Sequence, residues 1–287
     1  MKRDCSPFKD NLRSHAFVSA NYTDSDCKGF VALQAYCHLA RIYTERQLTF
    51  DSDALNAFSG VLEMLRGPAK LVAVHNVSGL PFVPSIEDCR SQQASIFVAF
   101  SWANLGATLT RREEFPSWTW AGWQGRIGWR LGLNLSDGHE IVSFLQDVLF
   151  CSEDAEFAPP YGQNAQDKLD SVRAIKFEAP VVPRSAFEVD PMDSIAPLPD
   201  YLGVVLWGIK TYLNQSLGTA DHVYEQIDKG VWTCFLLGGS PDLIEPSYCI
   251  LIVEWQDGER AVRKTDVSLF GVIPDQEALE RRTVKLI

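Results

Sequence analysis

From Phe30 the apolar residues recur at intervals of three and four. Phe30, Leu33, Cys37 and Ala40 form one row, and Val31, Ala35, Leu39 and Ile42 form a second. Two adjacent rows make a wide apolar stripe, so the spacing predicts a largely buried helix from Phe30 to about Glu45. A second helix is predicted in LTFDSDALNAFSGVLEMLRG. Asp51 or Ser52 is placed to accept from its first free N–H groups, and Asp53 suits its positive end. Leu55, Phe58, Leu62 and Leu65 line one face, and Gly67-Pro68 stops the ladder. The two helices read as a hairpin. Gly79-Leu80-Pro81-Phe82 reads as a turn, and a third helix from about Ser91 to Ala103 turns Ile96, Phe100 and Ala103 inward.

Past Gly132 the period changes. In VRAIKFEA, Ile175, Phe177 and Ala179 alternate with Lys176 and Glu178, the pattern of a half-buried strand. YLGVVLWGI and VWTCFLLGG are nearly unbroken apolar runs that suit strands covered on both faces, although a buried helix also fits the first. CILIVEW leads to Gln256-Asp257-Gly258-Glu259, where Asp-Gly suggests the positive φ angles of a tight hairpin. The alternation after it, in ERAVRKTD, is not clean, and RTVKLI reads as a last strand. Residues 152–170 and 188–200 read as long loops. The layout is a polar lead-in at 1–28, a helical part at 29–132 and a β-rich part at 133–287, the last two readable as separate parts or as one continuous domain. Helices first and strands later predict an α+β fold with a mostly antiparallel sheet.

Composition narrows the setting. The chain has 287 residues, 46% of them hydrophobic and 22% charged, as in globular proteins. Its net charge of -11 disfavours nucleic acid and anionic membrane surfaces as partners. The seven cysteines are odd in number and widely spaced, with no CxxC pair. No apolar leader and no run of about 18 apolar residues is visible, so a reduced, cytoplasmic setting is expected. The N-x-S/T sequons then carry no weight. Arg111-Arg112, followed at once by Glu113-Glu114, reads as a solvated loop.

The search for chemistry returns little. GxGxxG, GxxxxGK[ST], HExxH and GxSxG are all missing from the sequence. The five histidines are far apart along the chain, and His38 reads as a helix-face residue. No catalytic residue, cofactor or metal site is expected. Glu254 is the one acid inside an apolar strand, where burial would raise its pKa and suit acid catalysis. The simpler reading has it at a strand end, facing solvent or paired with an arginine such as Arg260. Asp257 and Glu259 read as solvated turn residues.

FPSWTWAGWQG, Phe115 to Gly125, holds three of the chain's eight tryptophans. In an extended segment Trp118 and Trp120 project to one face. Together with Trp123 they suit stacking on sugars or bases, or plugging the join between helices and sheet. Each indole buries on the order of 200 Å2, so the core reading is preferred.

The same residues carry a resemblance. YTERQLTFDSDALNAFSGVLEML, with Arg46, Leu48, Asp53, Leu55, Phe58 and Gly60, resembles a segment found downstream of the HET domain in fungal heterokaryon-incompatibility proteins. Pro116, Ser117, Trp118, Trp120, Ala121, Gly122 and Trp123 resemble that region's PSWSWAGW signature. Gly79-Leu80-Pro81 with Trp102, and more loosely IVEWQDGERAVR, are also similar to it. Elements of the HET domain proper (ALSYxWG-like, WIDxxCIxQ-like and WTxQE-like) are not seen, so no activity of that domain carries over. The resemblance implies an accessory module of non-self recognition and cell-death signalling, with a protein partner and no enzymatic function. A hydrolase using Glu254, and a carbohydrate or ligand module using Trp118, Trp120 and Trp123, are the alternatives.

Overall fold

A computed structural model describes residues 25–46, 48, 50–65, 75–82, 89–105, 110–129, 141–160, 166–188, 201–214, 217–241 and 246–287. Helices α1 (Ser25–Thr44) and α2 (Ala54–Leu65) come first, with a 3-10 turn at Asp51–Asp53 between them. The hairpin of β1 (His75–Val77) and β2 (Leu80–Phe82) leads to α3 (Cys89–Phe100). Four short strands follow: β3 (Trp102–Asn104), β4 (Thr110–Arg111), β5 (Trp123–Gln124) and β6 (Ile127–Trp129). Then come β7 (Val142–Ser143), β8 (Gln146–Cys151), β9 (Glu156–Phe157), the one-turn α4 (Gln166–Leu169) and β10 (Ala174–Pro180). The chain continues through β11 (Phe187–Glu188), β12 (Tyr201–Leu206), β13 (Ile209–Asn214) and α5 (Ala220–Asp228). It closes with β14 (Trp232–Ser240), β15 (Ser247–Trp255), β16 (Arg260–Phe270) and β17 (Arg281–Leu286). The fold is α+β, helical first and β-rich afterwards.

The two leading helices pack as the apolar spacing demands. Leu33, Tyr36, Cys37, Ala40 and Tyr43 of α1 are buried, as are Phe58 and Leu62 of α2. Tyr43 and Tyr36 meet Phe58 with ring centroids 5.1 and 5.3 Å apart. Two expectations are corrected here. Helix α1 begins at Ser25, inside the expected lead-in, whose first 24 residues lie outside the described ones. No side chain caps the turn before α2; Asp51 instead pairs with Arg112, whose Nε is 2.8 Å away. The expected stop at Gly67-Pro68 lies outside the described residues.

The main sheet has eight strands in the order β7-β14-β15-β16-β17-β10-β8-β9, and every pair is antiparallel except β16 with β17. It curls back on itself. Beyond β10, Val181 bridges Phe235 of β14, and Val182 N–H donates to the Cys234 carbonyl at 2.8 Å. Five strands, β14 to β17 and β10, thus form a ring. Alternate side chains along them serve two cores. Phe235, Leu251, Val253, Phe177 and Val284 share one cluster with α1, α2 and α3. Cys234, Leu236, Ile250, Ile252, Val267 and Leu269 share the other with α5 and the small sheet β11-β12-β13. Burial on both faces explains the unbroken apolar runs of β14 and β15.

Several strand-level expectations change. YLGVVLWGI is not one strand but the hairpin of β12 and β13. Trp207 (φ 52) and Gly208 (φ 76) supply the two positive φ angles of its tight turn. The Asp-Gly turn works differently, since Gly258 is not among the positive-φ glycines. The Asp257 carboxylate closes a longer loop by accepting from the N–H groups of Glu259 and Arg260. The third helix ends at Phe100, and Ala103 is buried on β3 instead. The expected loop at 152–170 holds β9 and α4, and that at 188–200 lies outside the described residues from 189 on.

Candidate functional site

The tryptophan motif follows β4 and takes in β5, and it is not extended between Trp118 and Trp123. Thr119 caps a single 3-10 turn at Trp120–Gly122, its hydroxyl accepting from the Gly122 N–H at 3.2 Å. The turn sends the indoles apart rather than along one face, which corrects the side-by-side platform expected above. Trp118 faces Phe100 at 6.5 Å between centroids. Trp120 enters the helical hairpin, 5.3 Å from Phe58 and 6.1 Å from Tyr43. Its indole N–H donates to the Tyr36 hydroxyl at 3.4 Å, and that hydroxyl donates to the Gly79 carbonyl at 2.7 Å. Burial pushes the Tyr36 phenol well above its usual range, so it serves here as a neutral relay. Trp123 turns back on the motif, and its N–H donates to the Ser117 carbonyl at 2.7 Å.

Trp118 and Trp120 are 0% exposed and Trp123 is 8% exposed. No indole face of the three is open to a ligand. Gly122 shows why the motif needs a residue without a side chain. A Cβ there would stand 2.4 Å from the Pro116 carbonyl oxygen and 2.7 Å from Arg111 Nη1.

Arg111 and Arg112 are not a solvated loop; that expectation is corrected. Arg111 donates to the carbonyls of Gly122, Arg112 and Phe115, and its guanidinium lies 5.6 Å from the Trp123 ring. Burial pulls its pKa down, while Glu113 and Glu114 oppose that. Arg112 is buried and donates to the carbonyls of Trp123 at 2.6 Å and Ala121 at 3.3 Å. Within the turn the Trp120 carbonyl accepts from the Trp123 N–H, and the arginine side chains reach the carbonyls of Ala121 and Gly122. Only Glu113 and Glu114 of that cluster are exposed.

Ser117 ties the motif to the sheet. Its N–H and its hydroxyl both donate to the Ile287 main-chain oxygen, and its own oxygen accepts from the Arg263 N–H at 3.1 Å. Ser117 itself is wholly buried. Arg263, also buried, projects from β16 into the helical side. It donates to the carbonyl of Phe100, the last residue of α3, at 2.9 Å, and to that of Trp102. A cation at a helix C-terminus meets both the free carbonyls and the negative end of the helix dipole. Asp266 stands 3.3 Å from Arg263 Nη2. Residues three apart on a regular strand face opposite sides. Here Arg263 opposes Val253 and Thr265 opposes Ile252, leaving Lys264 as an extra residue. That bulge puts Arg263 and Asp266 on one face. Burial pulls the Arg263 pKa down, Asp266 opposes it, and the guanidinium stays charged.

The first segment of the resemblance is mixed. Phe58 is buried, and Leu48 and Leu55 pack against the same core. Arg46, Asp53 and Gly60 are exposed. Ala121 is buried and Pro116 half-buried.

Glu254 is about a third exposed and pairs with Lys264 at 2.8 Å. Arg260, the partner expected for it, pairs with Asp257 instead. An apolar cavity of about 10 Å3 lies among the β1–β2 hairpin, α3 and the sheet, lined by Val77, Phe82, Ala99, Phe100, Phe150 and Ile175 among others. That is room for about one water-sized sphere, and no polar side chain lines it. Among the described residues, no three His, Cys, Asp or Glu side chains gather to hold a metal ion. No helix among them is long and apolar enough to cross a membrane.

No family model matches the chain, and no curated protein or solved structure matches it.

Proposed function

We propose that this chain is a non-enzymatic interaction module, a counterpart of the region downstream of the HET domain in fungal heterokaryon-incompatibility proteins. Its setting would be cytoplasmic and its partner a protein. The observation that carries the reading is the burial of Ser117 to Trp123, all three indoles included, between the helices and the strand ring. A signature absorbed by packing leaves recognition to other surfaces. Cys37, Cys151, Cys234 and Cys249 are all buried. Among the described residues of the helical part, Phe50 is the large apolar side chain that is exposed, at 65%, just ahead of the Asp51–Asp53 turn, and it is the position tested below for contact with a partner.

The hydrolase alternative needs a cleft with two carboxylates at a catalytic separation. The salt-bridged setting of Glu254 offers no support for it. The ligand-module alternative needs accessible indoles, and their burial counts against it.

Binding in trans tests the proposal. If the native transcript carries a HET-type segment upstream, that segment made as a separate chain should bind this one at about micromolar affinity. A Phe50→Asp substitution should weaken that binding without unfolding the protein. A transcript without such a segment, or no binding between the two chains, contradicts the proposal. Hydrolase turnover abolished by Glu254→Gln would replace it with the enzymatic reading.

A further inference from the structure

We draw no further inference here: the strongest candidate, the exposed apolar patch of Phe270 and Val272 where β16 ends beside the β12–β13 hairpin, carries none because nothing in the structure shows what covers it.

Discussion

The Arg263 guanidinium carbon lies 3.7 Å from the centroid of the Trp102 ring, both side chains almost wholly buried. One residue belongs to the strand ring and the other to the strand that leaves α3. Their stack is desolvated, so the attraction between cation and ring is at the strong end of its range, about 2 kcal/mol. The same guanidinium caps α3 and pairs with Asp266. Its position also explains the irregular pattern of ERAVRKTD: a charged residue occupies an inward site, and a bulge follows.

Arg263→Ala should therefore destabilise the fold by about 3–5 kcal/mol, because it removes the cation facing Asp266 and the donors to two interior carbonyls. Arg263→Lys should recover little, since an ammonium cannot reproduce the planar stack and the paired donors. Arg263→Met with Asp266→Leu should be milder than Arg263→Ala. Urea unfolding of the variants measures this; equal stabilities for wild type and Arg263→Ala would overturn it.

Gly60 should be replaceable with a gain. It sits inside α2 and is exposed, and a Cβ there meets nothing within 4 Å. Glycine in a helix interior costs about 0.8–1 kcal/mol relative to alanine. Gly60→Ala should raise stability by about that amount in thermal or urea unfolding. A loss would mean that the site has a packing role not seen in the free chain.

The hairpin between β15 and β16 should weaken in acid. Two backbone N–H groups and the Arg260 guanidinium hold the Asp257 carboxyl at a pKa of about 2, below its usual value. A depressed carboxylate stabilises the folded state above its unfolded pKa, near 4. That contribution is lost as pH falls from about 4 towards 2. The stability difference between wild type and Asp257→Asn should thus be constant near neutrality and shrink across that window. Because the group is exposed, the difference should be small and fall with salt. A difference that grows as pH falls would contradict the assignment.

Buried thiols should resist modification. Burial pushes the Cys234 thiol up to about 12 and raises Cys37 further still. Both should react with Ellman's reagent only as fast as the protein unfolds. Rapid labelling of either under native conditions would show that its core is open.

Much of the architecture was legible in residue spacing. Leu33, Cys37 and Ala40 mark a buried helix because the 3.6-residue period leaves them one face. Ile175, Phe177 and Ala179 mark a strand because a pleat alternates. The joint itself was less so. Ser117, Arg111, Arg112 and Arg263 are polar, and polarity reads as solvent unless their partners are known. Most of those partners are backbone groups, which leave no trace in a sequence, and the carbonyls that Arg263 reaches lie more than 160 positions away. The break in alternation at Arg263 was the one available signal. Trp207-Gly208 was missed because tryptophan is an unusual residue at positive φ.

The most direct test is urea unfolding of Trp120→Ala, followed together by far-UV and near-UV circular dichroism. If the indole joins helices and strands, stability should fall by about 3–5 kcal/mol, with the two probes shifting as one. A variant as stable as wild type within about 0.5 kcal/mol would mean that this ring holds nothing together, and the account of the motif as a structural joint would be wrong.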